Sequence, residues 1–189
     1  REVVDDNKAQ LPAVFVGYRG VAEGDSDSYA MSMLTDILAN GESSRMYRSL
    51  VDDKQLAVQA AVFPYSLEKT GAVILVGISS PGKDINAVEK EMYAQIDSVI
   101  ANGVTESEFM KAKNIAEAKF IQSKKGSLET GMALADAYAM FGNTNNVNTE
   151  MQKFNRVTRA DLQRVARKYL GTNNRVVLQF MPSTEKKSK

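Results

Sequence analysis

The chain has 189 residues, enough for one domain or at most two small ones, and its 43% hydrophobic and 25% charged residues are an ordinary globular balance. Lys and Arg number 24 against 23 Asp and Glu, so the net charge of +1 argues against a chain built chiefly to bind nucleic-acid backbone. Cys and His are both zero. That excludes a disulfide framework, a thiolate nucleophile, His-based triads and the usual zinc ligands from these residues.

In chain order, residues 1–10 read as a polar, flexible lead-in. Ala13–Tyr18 after Pro12 is a buried strand, followed by a loop through Gly20 and Gly24. Asp27 reads as the cap of a helix over 28–39, with Ala30, Met33, Leu34, Ile37 and Leu38 on one stripe and Asn40-Gly41 as its stop. A short helix over 44–52 leads to two strands, Leu56–Phe63 and Ala72–Ile78, in an antiparallel hairpin. Pro81-Gly82 breaks the chain before a helix over 85–101. Thr105 with Glu108 is a capping box for a helix running to about Lys124, and Thr158 with Asp161 repeats it for a helix over 159–170. Between them lie a helix over Leu128–Phe141, a polar loop over 142–149 and a brief helical stretch over 150–155. Val176–Met181 is a last strand and the tail STEKKSK is polar. The order predicts α+β, an antiparallel sheet with helices packed mainly on one face, as a single domain over 11–182 with a flexible tail over 183–189.

No apolar run approaches the ~20 residues that span a bilayer, and REVVDDNKAQ lacks the layout of a signal peptide. The chain begins at Arg1 rather than Met and reads as cut from a longer protein, with any targeting signal upstream. The compartment stays open; for a bacterial parent it is the periplasm or the cytoplasm.

Self-contained chemistry is hard to find. Asp52-Asp53, Glu89 with Glu91, and Glu106 with Glu108 all read as solvated or helix-start acids rather than an acid/base pair. There is no phosphate-binding glycine pattern, and Ser79-Ser80 has no base to activate it. Met31, Met33, Met92, Met132 and Met140 read as core or interface filler. Residues 41–58, GESSRMYRSLVDDKQLAV, form a helix-to-strand corner that offers Arg45, Tyr47 and Arg48 at a surface. On chemistry alone Tyr47 and Leu50 pack while the arginines are solvated; the sharper reading is a peptide-contacting rim.

That corner, G-x-S-S-R-M-Y-x-x-L-V-x-x-K-Q-L-A, resembles the C-terminal domain of the M16 (pitrilysin/insulinase) zinc metallopeptidases. The family includes the mitochondrial processing peptidase and the core proteins of the cytochrome bc1 complex. LPAVFVGYRG with DSYAMSMLTDILANG resembles its first strand and long helix, and GVTESEFMKAKN a later helix start. The resemblance runs from about Gln10 to Pro182 and implies an M16 metallopeptidase-like (LuxS/MPP-like) domain.

It further implies an upstream N-terminal domain on the same polypeptide, carrying an H-x-x-E-H zinc motif whose Glu activates the attacking water. This domain would bind no metal and hold no catalytic residue, but would help enclose a chamber for an unfolded peptide. Many relatives supply an aromatic, an Arg and a Tyr here; the aromatic falls on Tyr47, but the other two positions hold Val51 and Val58. Neither Val can bond a substrate carbonyl. The resemblance therefore implies a second M16 subunit carrying the Arg/Tyr pair, with zinc in the parent or that partner. Arg45 and Tyr47 are the candidate substrate contacts, and a structural role serves them equally. The alternative is a structural or assembly subunit of the same fold without peptidase activity; an unrelated α+β interaction domain is the third reading.

Overall fold

Period-two alternation decides which side of the sheet is covered. On β2 (Ala13–Gly20) Val14, Val16 and Tyr18 are buried, and on β4 (Gly71–Ser79) Val73, Leu75 and Gly77 face the same way. The computed structural model describes residues 1–183; apart from Ser183, the tail expected over 183–189 lies outside the described residues. The remaining strands are β1 (Glu2–Asp6), β3 (Ala57–Ser66) and β5 (Arg175–Pro182). The sheet has 5 strands in the order β1-β5-β2-β4-β3. Its pairs are antiparallel except β1 with β5, which is parallel, so the sheet is mixed at that edge.

The helices are α1 (Ser26–Ala39), α2 (Arg45–Tyr47), α3 (Ile85–Asn102), α4 (Glu106–Gln122), α5 (Ser127–Phe141), α6 (Asn146–Arg156) and α7 (Arg159–Tyr169). α1 lies against β3, α3 against β4 and β2, and α7 fits between them. Met33, Leu34 and Leu38 of α1, Val88 and Met92 of α3, and Leu162 and Val165 of α7 are fully buried there. Each such side chain contributes about 1.5–3 kcal/mol. Gly77 sets the approach of α3: a Cβ there would lie 2.8 Å from Val88 Cγ1 and 2.9 Å from Met92 Sδ. α4 packs outside this layer on α1, and α5 reaches the rest of the domain chiefly through α6.

Four local readings are corrected. Residues 2–6, read as lead-in, form an edge strand, fastened by Arg1 to buried Glu89 and by the Ser183 amide donating to Asp6 O. The cap of α1 is Asp25, whose carboxylate accepts the Asp27 N–H at 2.8 Å. Asp27 instead sits inside the first turn, buried, and takes Arg164 at 2.8 Å, Lys168 at 3.0 Å and the Tyr169 hydroxyl at 3.0 Å. The helix read as 150–155 begins four residues earlier, at Asn146, with Val147 buried beneath its first turn. Finally, the short helix over 44–52 winds as α only to Tyr47 and continues as a π-helical turn over Arg48–Asp53.

Candidate functional site

The corner between α1 and β3 is where sequence reasoning placed the candidate contacts. Gly41 takes a φ of 78°, a left-handed value that glycine accepts without strain, and swings the chain away from α1. The π turn closes with the Lys54 amide donating to Ser49 O, and Gln55 then adopts a positive φ of 50°. A π turn and a strained non-glycine residue in succession mark a segment held by its surroundings. The holding groups are visible. Glu91, buried on α3, accepts from Ser49 Oγ at 2.5 Å and Gln95 Nε2 at 2.7 Å and pairs with Lys54. Burial pushes the Glu91 carboxyl up, but Lys54, Ser49 and Gln95 together hold it below its ordinary value.

Arg45 is tied down more fully. Its Nε and Nη2 donate to the two carboxylate oxygens of Glu108 at 2.6 and 2.8 Å. Nη2 also reaches Gly103 O at 3.2 Å and Nη1 reaches Ser98 Oγ at 3.4 Å. Four of the five guanidinium N–H donors are thereby engaged. Glu108 is the closing residue of the Thr105 capping box. Burial raises its pKa, but Arg45, the Thr105 amide and the Thr105 hydroxyl outweigh that and hold it at about 2. Arg45 therefore locks the corner to the α3–α4 junction, and the structure does not bring it together with Tyr47 as a free donor pair. Tyr47 is half-buried, Val51 is half-buried, and Val58 is exposed beside the bulge between Ala57 and Gln59. The partner Glu108, missed as such in the sequence, lies 63 residues away, and no local pattern announces so distant a pairing.

The carboxylates do not assemble into a metal site. Among the described residues no three His, Cys, Asp or Glu side chains gather where they could hold an ion. Asp27, Asp36, Glu89, Glu91 and Glu108 are each spent on cations: Arg164 and Lys168, Lys119, Arg1, Lys54 and Arg45 respectively. The donor set does not fit zinc. Ser79, at the end of β4, donates to Ser80 O and Lys83 O and is a turn fastener, with no base beside it.

What the fold does offer is the other face of the sheet. Phe15, Ile74, Val76, Ile78, Leu178 and Phe180 alternate with the buried set and point away from the helices. They are only partly buried; Val176 and Phe63 on the same side are 71% and 54% exposed. Phe15 and Phe180 meet edge to face at 5.5 Å. Antiparallel sheets commonly leave one face open, but here that face is mostly apolar rather than polar.

Comparison with known proteins identifies the family. Residues 1–116 match the family model of the peptidase M16 inactive domain. The chain is 28% identical over 167 residues to the zinc protease PqqE of Helicobacter pylori, covering 88% of this chain and 37% of that protein. It thus spans little more than a third of this curated relative. The crystal structure of a protease from Helicobacter pylori superposes with a TM-score of 0.88 at 26% identity, over 96% of this chain and 44% of the other. The inactive peptidase domain of a Bordetella parapertussis protein superposes with a TM-score of 0.83 at 24% identity, over 94% of this chain and 97% of the other.

Proposed function

The chain belongs to the family of peptidase M16 inactive domains, and from that membership we propose that it forms wall and interface in a zinc peptidase whose chemistry lies elsewhere. One observation carries the reading: the open sheet face of Phe15, Ile74, Val76 and Phe180, which no helix among the described residues covers. A mostly apolar sheet face suits two tasks of such a domain. It gives a neighbouring domain a surface to bury, and it offers extended peptides of varied sequence an apolar wall on which the charges are Arg19 of β2 and Glu2 and Asp6 of the edge strand β1.

In this reading zinc sits in an N-terminal M16 domain of the same polypeptide or in a partner subunit. This chain contributes no ligand and no proton-transfer group. A second M16 subunit supplies the Arg/Tyr pair, because Val51 and Val58 occupy those positions here. Of the candidate contacts, Tyr47 is the one left to touch a peptide, since Arg45 is committed to Glu108, Gly103 and Ser98.

The test has two steps. Reading the gene upstream of Arg1 over about 200 residues, one further domain's worth, should reveal an H-x-x-E-H with a distal Glu. A domain of the same pattern without that motif would turn the reading into a non-catalytic assembly subunit. The upstream domain and this chain, produced separately and mixed, should then form a complex, and V176E should weaken it while leaving the circular dichroism of the chain unchanged. Stoichiometric zinc in the 189-residue chain alone, or metal-dependent peptide hydrolysis by it, would overturn the proposal.

A further inference from the structure

α1, α6 and α7 meet around a cavity of about 400 Å³. That size falls in the range of sites for small organic ligands, roughly 300–1,000 Å³. Its apolar side is Tyr29 and Ala30 of α1 and Val157 in the turn between α6 and α7, all three buried. Tyr29 is only 7% exposed, and its ring meets Phe154 edge to face at 5.0 Å. Its hydroxyl nevertheless has no hydrogen-bond partner among the described residues. A buried phenol ordinarily finds one.

The polar side is cationic. Lys153 and Arg156 of α6 and Arg164 of α7 line it with a single acid, Asp161. Asp161 is already satisfied, one oxygen taking Arg164 at 3.2 Å and the other the Thr158 hydroxyl at 2.6 Å. Arg164 is likewise spent, on Asp27 at 2.8 Å as well as on Asp161. The nearby Asp25 caps α1. Lys153 and Arg156 are not spent in this way. Lys153 is half-buried, with Nζ 5.5 Å from the ring centroids of Tyr29 and Phe141, and it donates to the neutral Asn146 side chain. Glu150, three residues back on α6, feels the charge of Lys153 but forms no ion pair with it and lines the neighbouring cleft. Arg156 makes no hydrogen bond or ion pair among the described residues. Two cations without an ion-pair partner and an unpartnered hydroxyl therefore border one apolar floor. An Arg presents paired N–H groups that match a carboxylate, and the floor suits an organic body rather than a bare inorganic anion.

We propose that this cavity binds the carboxylate of a small organic acid or of a peptide C-terminus, with Arg156, Lys153 and the Tyr29 hydroxyl donating to its oxygens and the apolar body resting on Tyr29, Ala30 and Val157. The cavity lies among the helices, on the side of the sheet away from the open face. The site therefore stands whether or not that face lines a peptide chamber.

The probes are N-acetylphenylalanine, its uncharged amide, inorganic phosphate, and a hexapeptide that ends in phenylalanine with a free carboxylate. Each is titrated into the isotope-labelled 189-residue chain and followed by backbone amide chemical shifts. N-acetylphenylalanine should move the amides of Ser26, Ala30 and Val157 saturably. It should bind about tenfold tighter or more than its amide, with the gap shrinking as salt is raised. R156Q, at an exposed position with no partner to lose, should weaken binding about tenfold or more at unchanged circular dichroism. Y29F keeps the ring and removes only the hydroxyl, and should weaken it about three- to tenfold. A hexapeptide that binds as tightly as the small acid, or more so, supports the site as one for chain ends; a weaker or silent hexapeptide supports it as one for free small acids. Equal binding of the acid and its amide, phosphate as tight as the acid, or wild-type binding by R156Q would overturn the proposal. So would the absence of saturable shifts at those amides with both the acid and the hexapeptide.

Discussion

The sheet-facing helices and α5 are built from similar apolar residues that end in opposite places. In α1, Met33, Leu34 and Leu38 have no exposed surface; in α5, Leu128 and Met132 are mostly exposed. The charges divide the same way. Asp27 and Asp36 of α1 and Glu89 and Glu91 of α3 are each paired, whereas Glu129 and Asp136 of α5 make no ion pair among the described residues. Apolar content therefore does not identify the core. The core is the layer whose stripes meet the sheet, and it closes without the outer face of α5.

Truncation should separate the two regions most sharply. Leu34→Ala opens a cavity in a fully buried layer and should cost about 2–5 kcal/mol. Met132→Ala removes as much apolar bulk from an exposed position and should stay within about 0.5 kcal/mol. Urea unfolding of both variants reads the difference. Comparable losses would mean that α5 belongs to the cooperative core after all.

The next effect concerns the paired charges of the core layer. Arg164 first, then Lys168 and the Tyr169 hydroxyl, hold the Asp27 carboxyl at about 2 against the pull of burial. A carboxylate with a depressed folded pKa contributes stability that is fully present above its unfolded pKa, about 3.9, and is lost as pH falls through the folded value. Asp27→Asn should therefore cost about 2 kcal/mol at pH 7. The gap to wild type should close between pH 4 and pH 2. A gap that does not move with pH would assign the loss to packing.

Much of this layout can be read from the chain, and the failures have physical causes. The stripes of α1, α3 and α7 and the capping boxes at Thr105 and Thr158 are local patterns, and the structure contains them where the residues say. β1 was illegible because EVVDD has two apolar residues and three acids, and its strand state comes from parallel pairing with β5, at the other end of the chain. α6 starts at Asn146 although Asn is a poor helix former, because buried Val147 anchors the turn. Asp25 and Asp27 both satisfy the local rule for a cap; the distant Arg164 and Lys168 engage the second and leave the first to cap. The corner at Arg45 was legible as a place but not as an arrangement. Its π turn and its bidentate grip on Glu108 depend on residues across the fold.

Helix starts sharpen the comparison at smaller energies. α4 opens on a complete capping box, with the Glu108 N–H donating to Thr105 Oγ1 at 3.2 Å and the Thr105 N–H donating to Glu108 at 2.8 Å. Thr105→Ala should cost about 1 kcal/mol. Amide hydrogen exchange should quicken in the first turn of α4, while α5 is unchanged. Equal quickening in both helices would show that they open as one unit.

The smallest effect runs the other way. α5 begins at Gly126, whose backbone is extended at φ −130° and ψ 166° and which supplies no capping side chain. Any residue adopts that conformation, so the glycine is not required by the backbone. A Cβ there would sit 2.2 Å from Glu129 Oε2, the far end of a flexible side chain that can turn aside. G126S would then create the pattern S-x-x-E across the start of α5, with the hydroxyl placed for the N3 amide and Glu129 free to reach back. The gain should be a few tenths of a kcal/mol. It should appear as slower exchange in the first turn of α5 with little change in global unfolding, because a helix packed chiefly through α6 opens before the core does. If G126S raises global stability by the same few tenths, α5 unfolds together with the sheet-facing layer, and the division drawn between the two regions fails.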